Sequence, residues 1–493
     1  MAGNKSNLRR ACTAAICQAL LHLLGPDKVS LPGSGAYNAS LTSYFALQVS
    51  DIHPHCFASP RAADEVASVV ELLTSNTTGR RPDEVAIRSG GHMWVAGASN
   101  APGGVTIDLR AFDAIQLSPD AKTVSLGPGA RWQDVYAALD PYGLSVAGGR
   151  IGTVGVGGLV LGGGISFFSP RRGWTCDTAT AFQVVLANGS VVEANANENT
   201  DLFHGLRGGS NNLGIVTRID LTTFQQGDVW FANIYHPLTT VDEQIKTVAR
   251  ITSPENYDVD ASFVTGFGYA STQGLTVVNN QLAYAKPTGD ANTPPAYYND
   301  FLSLPSLFNS TSVLNMSSLA RQGNANLPPG AARYLFATTT FRPTEPMLRA
   351  AFDAWNSSLP SISAVTGVTW SLSFEPLPPS LYLPGAATNS LGLANRSGTR
   401  IICLLSQAWA DAADDAHVYA TSEAIIAEIE AAARRLDAYD PYLYLNYGAP
   451  WQDPISSYGG ESVRRLQKLR EKVDPRGVFT EIVRGGFKIP RGE

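Results

Sequence analysis

The chain has 493 residues, 44% of them hydrophobic and 16% charged, enough for two substantial domains with their own cores. A net charge of −6 argues against nucleic acid as a partner, because phosphate binding needs a basic face. No run of eighteen or more apolar residues occurs, so no membrane span is expected.

The segment from Ala11 to Leu24 reads as a signal peptide or as an amphipathic first helix. Gln18 and His22 interrupt its apolar run and no clear small-residue cleavage site follows, which favours the helix. The five cysteines (Cys12, Cys17, Cys56, Cys176 and Cys403) show no CxxC or metal-ligand spacing. They leave room for one disulfide near the N-terminus and, being odd in number, at least one free thiol. Eight Asn-x-Ser/Thr sequons begin at Asn4, Asn38, Asn76, Asn188, Asn309, Asn315, Asn356 and Asn395. They point to the secretory pathway, while the lack of a clear leader keeps the cytoplasm open.

Pro60 followed by Val66, Val69, Val70, Leu72 and Leu73 predicts a helix over residues 60–75. Strands follow at 85–88, 105–109, 114–117 and 123–126, the last two joined by a turn at Pro119-Asp120. A helix over 131–139 precedes a strand at 182–186, which turns at Asn188-Gly189 into Val191-Val192. Near Gly227 the pattern changes to longer alternating segments, at 230–235, 275–285 and 334–341. With helices near 241–250 and 423–436, these predict an antiparallel sheet with helices on one face. Pro, Asn and Ser dominate residues 287–333, read as surface loop with one short helix. Asp411, Asp414 and Asp415 read as a helix N-terminus and not as a metal site. Residues 442–447 read as a strand, and Glu461 to Val473 as an amphipathic helix closed by Asp474-Pro475.

Two glycine-dense stretches carry the most chemistry. Arg88-Ser-Gly-Gly-His92 ends in a histidine, and sixty residues later the chain runs from Gly148 to Gly164 with nine glycines. Glycine lets successive backbone N–H groups approach a pyrophosphate with no Cβ in the way.

These stretches, with Gly208-Gly-Ser-Asn-Asn-Leu-Gly-Ile-Val216 and the C-terminal Tyr444-Leu-Asn-Tyr447, Tyr458-Gly and Asp474-Pro475, resemble the FAD-linked oxidases of the vanillyl-alcohol-oxidase/berberine-bridge-enzyme type. The blocks fall in the family's order from about residue 45 onward. The resemblance implies an α+β fold: a split FAD-binding domain (1–225 and 441–493) and a substrate domain (226–440) whose antiparallel sheet is covered by helices. It implies FAD attached to the protein through His92 alone. Arg88, Ser89, Gly90, Gly91, Gly152, Thr153, Val154, Gly157, Gly158, Gly162, Gly214, Val216 and Asn446 are the further expected cofactor contacts.

The chain departs from the family pattern in three places. Ile151 stands where many members carry a second, cysteine tether, so that link is impossible there, and Cys176 reads as a structural thiol. Leu159 replaces the histidine that often ends the glycine run, and Trp94 replaces a tyrosine. Apolar surface thus replaces two polar supports, which favours a hydrophobic or natural-product-like substrate.

For the base, the resemblance implies a tyrosine of the Tyr-x-Asn-Tyr segment: Tyr444 first, Tyr447 second, with Asn446 orienting. A free phenol has a pKa near ~10, so it needs a neighbouring cation, which the sequence does not identify. Gln407, on a strand expected to face the flavin, and Glu375 are polar candidates from the middle domain, each also readable as structural. Val154 at the flavin edge goes with oxygen access. The expected function is a monomeric oxidase that moves a hydride from a small organic substrate to flavin N5 and passes the electrons to molecular oxygen, giving hydrogen peroxide. A redox-neutral isomerase or cyclase, a sugar oxidase, and a ligand-binding protein with a dead redox site are the alternatives.

Overall fold

A computed structural model describes residues 2–74, 84–286, 290–325, 327 and 332–492, with side chains from residue 13 onward. The sequon at Asn76 and parts of the 287–333 segment lie outside the described residues, as do the side chains of Asn4 and Cys12.

The first part of the chain builds two small sheets. In one, Val29–Ser30, Cys56–Ala58, Val105–Asp108 and Val85–Arg88 lie side by side, the last three parallel. The apolar stripe of the Ala63–Thr74 helix (Val66, Val69, Val70 and Leu73) is buried against them. The other sheet is antiparallel in the order Ile115–Leu117, Thr123–Leu126, Ile215–Thr222, Ala179–Val185, Val191–Asn195.

The helix Ala2–Leu24 is part of the folded body. Ile16, Cys17, Leu20 and Leu24 are buried in the core of the first sheet, and Cys17 is bonded to Cys56 across 39 residues. Cys176 and Cys403 are free and buried. The six sequon asparagines with described side chains, Asn38, Asn188, Asn309, Asn315, Asn356 and Asn395, are all exposed.

From Val229 an eight-stranded antiparallel sheet takes over. Its spatial order is Phe308–Leu314, Val229–His236, Leu275–Tyr284, Ala261–Ala270, Thr369–Leu377, Arg400–Trp409, Arg333–Phe341, Tyr439–Asp440. Side chains alternate across a strand, so each strand gives every second residue to each face. One face, with Trp230, Phe267, Trp370 and Leu405, packs under the helices Val241–Ile251, Glu345–Ile362 and Asp415–Arg435. The other face is turned to a large cavity.

Three expectations need correction. The helix Glu345–Ile362, capped by Thr344 accepting from the Met347 N–H, was not foreseen. The 287–333 segment holds the edge strand Phe308–Leu314 and the helix Met316–Ala325 besides loop. Residues 442–447 are not a strand: pairing ends at Asp440, and Leu445–Tyr447 is a turn of 3₁₀ helix. Side chains take over from the ladder there. Asp440 accepts from the Tyr442 N–H, and Ser457 Oγ accepts from the Leu443 N–H.

Within the Asp cluster, Asp411 caps the short turn Ala412–Asp414, while Asp415 pairs with Arg333. The C-terminal segment returns to the first part. Tyr442, Tyr444, Leu466 and Leu469 share a core with Trp132, Trp174 and Leu206, and Phe479 and Ile482 join the first sheet. The three-part division at 225 and 440 is our reading of this packing.

Replacing Cys17 with Ser removes a loop-closing bond whose expected worth is roughly 3–4 kcal/mol. Thermal melts should show a clearly lower Tm for Cys17→Ser, and reductant should shift the unmodified protein the same way.

Candidate functional site

The two glycine loops meet backbone to backbone. A Cβ on Gly90 would stand 2.6 Å from Gly155 Cα, and one on Gly155 would stand 2.5 Å from Gly90 N. Gly157 is closed in the same way by Pro128 and Ser89. The loops form one wall of a cavity of about 1050 Å³, large enough for a big cofactor and a substrate together. Among the described residues, the N–H groups of Gly90, Gly91 and His92 find no acceptor. Such a run of free N–H groups is an anion-binding concavity. Gly158 also lines the cavity, and a Cβ there would meet nothing within 4 Å. The far end is walled by Ser210, Asn211, Gly214, Val216 and Phe487; Ser210 holds a left-handed φ of 56°.

His92 borders this space, half-buried, with its ring stacked on Phe45 at 4.1 Å between centroids and 16° between planes. Phe45 stacks in turn on Tyr334 at 4.0 Å. His92 Nε2 lies 3.1 Å from Thr153 Oγ1, and Nδ1 has no hydrogen-bond partner among the described residues. Burial, helped by the nearby Arg131 charge, pushes the imidazole pKa down to about 3. The ring is therefore neutral, rigid and free at one nitrogen.

Not every expected contact reaches the cavity. The Arg88 guanidinium points away from it, donating to Ser40 O at 2.8 Å and Ser43 Oγ at 2.8 Å and lying over the Tyr44 ring. Arg88 anchors the glycine loop from behind. Gly152 and Thr153 sit behind the wall, where Gly152 N donates to Ala320 O and Thr153 N to Asn324 Oδ1. Gly162 leaves room for the Asn446 amide, 2.1 Å from its hypothetical Cβ. Ser89, Gly90, Gly91, Val154, Gly157, Gly158, Gly214, Val216 and Asn446 do line the cavity.

A three-residue polar group, with one member from the second glycine stretch, also lines the cavity. Arg150 donates to the Tyr447 phenol oxygen at 2.7 Å and to Glu375 at 2.9 Å, and the Tyr447 hydroxyl lies 3.1 Å from Glu375 Oε1. Burial drives the Tyr447 pKa well up, Arg150 opposes that and Glu375 adds to it. Burial works against the Arg150 charge, but Glu375 and Tyr447 hold the guanidinium firmly protonated. The missing cation thus stands beside Tyr447. Tyr444 is buried with its ring stacked on Trp174 at 5.4 Å, and its hydroxyl accepts from Asn446 Nδ2 at 3.1 Å.

Gln407 also needs correcting. It borders the cavity, but its register opposite Leu335 and Trp370 puts its side chain on the helix-covered face. Ser406 and Ala408 take the cavity-facing positions, and both Gln407 amide atoms are buried without a partner. Sequence reading missed Arg150, although it is the one charged residue between Gly148 and Gly164.

Comparisons with known proteins place the chain among FAD-binding proteins. A family model for an FAD binding domain matches residues 54–195. The FAD-dependent monooxygenase drtC of Aspergillus calidoustus is 34% identical over 488 residues, covering 97% of this chain and 91% of that protein. Oligopeptidase PhomG' of Diaporthe leptostromiformis is 41% identical over 95% of this chain, but the chain spans only 37% of that protein's length. Among solved structures, glucooligosaccharide oxidase of Acremonium strictum, with a 6-S-cysteinyl, 8α-N1-histidyl FAD, has a similar fold: TM-score 0.76 at 17% identity, over 97% of this chain and 100% of that one. The free N–H groups, the packed glycines and the cavity's size fit FAD.

Gly90→Ala should lower both Tm and flavin content, since its methyl group meets backbone that cannot yield. The ratio of visible to ultraviolet absorbance of the purified protein measures the second effect.

Proposed function

Because the chain belongs to the FAD-linked oxidoreductases of the vanillyl-alcohol-oxidase/berberine-bridge-enzyme type, we propose that it is an oxidase that removes a hydride and a proton, two electrons in all, from a small organic hydroxyl compound. The contact of Tyr447 with both Arg150 and Glu375 at the cavity wall carries this reading. FAD, when bound, supplies the two-electron acceptor, which molecular oxygen restores with release of hydrogen peroxide.

The chain's own residues handle the proton. A substrate hydroxyl that reaches Tyr447 gives its proton to the phenol oxygen while the phenol proton passes to Glu375. Tyr447 is the relay, Glu375 the final acceptor, and Arg150 stabilises negative charge on the phenol oxygen during the exchange. This route suits a phenol that burial has made a poor base by itself. Tyr444 and Asn446 hold the relay's backbone in place. Tyr444 packs edge-on against Tyr447 at 4.8 Å, and Asn446 Nδ2 donates to Leu159 O at 3.1 Å.

His92 is the attachment point for the cofactor, through Nδ1, the nitrogen that Thr153 leaves free. Ile151 removes the second, cysteine-based link. Val154 borders the cavity and leaves an approach for oxygen. A second reading, insertion of one oxygen atom into the product, is favoured by the name of the 34% identical relative.

Isotopically labelled oxygen separates the two. An oxidase places all the label in peroxide, and a monooxygenase places half of it in the product. Tyr447→Phe should slow anaerobic flavin reduction by roughly 10²–10⁴-fold. Arg150→Leu raises the cost of phenolate, so the alkaline rise of the rate should move to higher pH. After acid precipitation, flavin should stay in the pellet for the unmodified protein and appear in the supernatant for His92→Ala.

A further inference from the structure

Resting on that reading of the site, we infer that the substrate is a flat, fused-ring aromatic alcohol, its hydroxyl on a hydrogen-bearing carbon, that lies on the cavity face of the eight-stranded sheet, with that hydroxyl at the Arg150–Tyr447–Glu375 group. The floor is unusually bare. In one row across the strands Ser406, Ser371 and Gly268 are aligned neighbours, and in the next row Ser373 and Gly266 are, with Leu404 bounding that row on the third strand. A Cβ on Gly268 would meet nothing within 4 Å, so the space above it is open. Three strands at about 4.8 Å spacing give a bare row roughly 10 Å long, which widens by about 7 Å along the two strands of Ser373 and Gly266. That is the footprint of two or three fused aromatic rings.

The surroundings fit the same shape. On one side the floor is walled by Phe336, packed on Trp94 at 4.1 Å, and by Tyr334 beyond it. On the other side stand Val277 and, across Asn279, Tyr235. Aromatic walls on a level floor favour stacking and edge contacts with rings. At the outer end, Leu275, Leu307 and Phe308 line the cavity while exposed to solvent, so the entrance is apolar as well.

The polar groups reject a sugar or a charged substrate. Among the described residues, Arg150 and Glu375 are the only lining residues that carry a full charge, and they are bound to each other. Ser371 spends its hydroxyl on Ser406 O at 2.9 Å, and Asn279 spends its amide on Asn233 at 2.8 Å. That leaves Ser373 and Ser406 as the serine hydroxyls of the floor open to a ligand, too few for the many hydroxyls of a sugar. Glu375 lies on the same strand face as Ser371 and Ser373, so one edge of a molecule on the floor reaches the relay.

The test is anaerobic titration of the FAD-loaded protein with benzyl alcohol, 2-naphthalenemethanol, 9-anthracenemethanol and cellobiose, following the visible flavin absorption. Affinity should rise with ring number and cellobiose should give no change. Gly268→Phe fills the open space without meeting protein atoms close to the backbone, and Gly268 has no left-handed φ to strain. This variant should keep its Tm and flavin content, weaken 9-anthracenemethanol by roughly tenfold or more, and change benzyl alcohol little. Binding of cellobiose but not of the fused rings overturns the proposal, as does unchanged affinity in Gly268→Phe. Tight binding of the fused rings with no flavin reduction supports the slot and overturns the proposed reaction instead.

Discussion

The contact between Gly90 and Gly155 is the constraint on which the site depends. Two loops sixty residues apart touch through bare backbone, at distances that admit no side chain on either. Their closeness brings His92 beside Thr153 and, among the described residues, leaves the N–H groups of the first loop without backbone acceptors. Arg88 fixes the first loop from behind, fully buried with Ser40, Ser43 and Asp108 around it. A buried guanidinium is costly unless its donors are met, so this cluster commits the local chain to one arrangement.

The large sheet solves a different problem. An antiparallel sheet usually gives one face to a core and the other to water. Here the second face is roofed by the glycine loops and the returning C-terminal segment, and is nearly free of charge. Into that low-dielectric space the fold places one ion pair with a phenol wedged against it. Apart, either charge would be expensive there; together, with Tyr447 between them, they offer a path for a proton and a fixed polar end for an otherwise apolar chamber.

How much of this was legible in the sequence depends on the range of each contact. The glycine loops, the 460–473 helix and the first strands follow from local composition and period, and they emerge close to where the pattern puts them. The 442–447 segment misled because alternating tyrosines mimic a strand, whereas its N–H groups are taken by Asp440 and Ser457. Gln407 misled by a single residue of register, which sends a side chain to the opposite face. Arg150 and Glu375 are 225 residues apart, and Arg150 and Tyr447 are 297 apart. No local pattern joins such positions, so the relay became visible only in three dimensions.

The return of the C-terminal segment has a consequence for the order of events during synthesis. Glycines near residue 158 and Phe487 wall the same cavity, and some 330 residues separate them in the chain. At ribosomal speeds of about 5–20 residues per second, the loops wait tens of seconds for their last neighbour. The early part of the chain therefore cannot enclose a ligand as it emerges. Flavin capture belongs to the finished polypeptide, and a nascent chain that stalls before its final fifty residues leaves a cradle with one side missing.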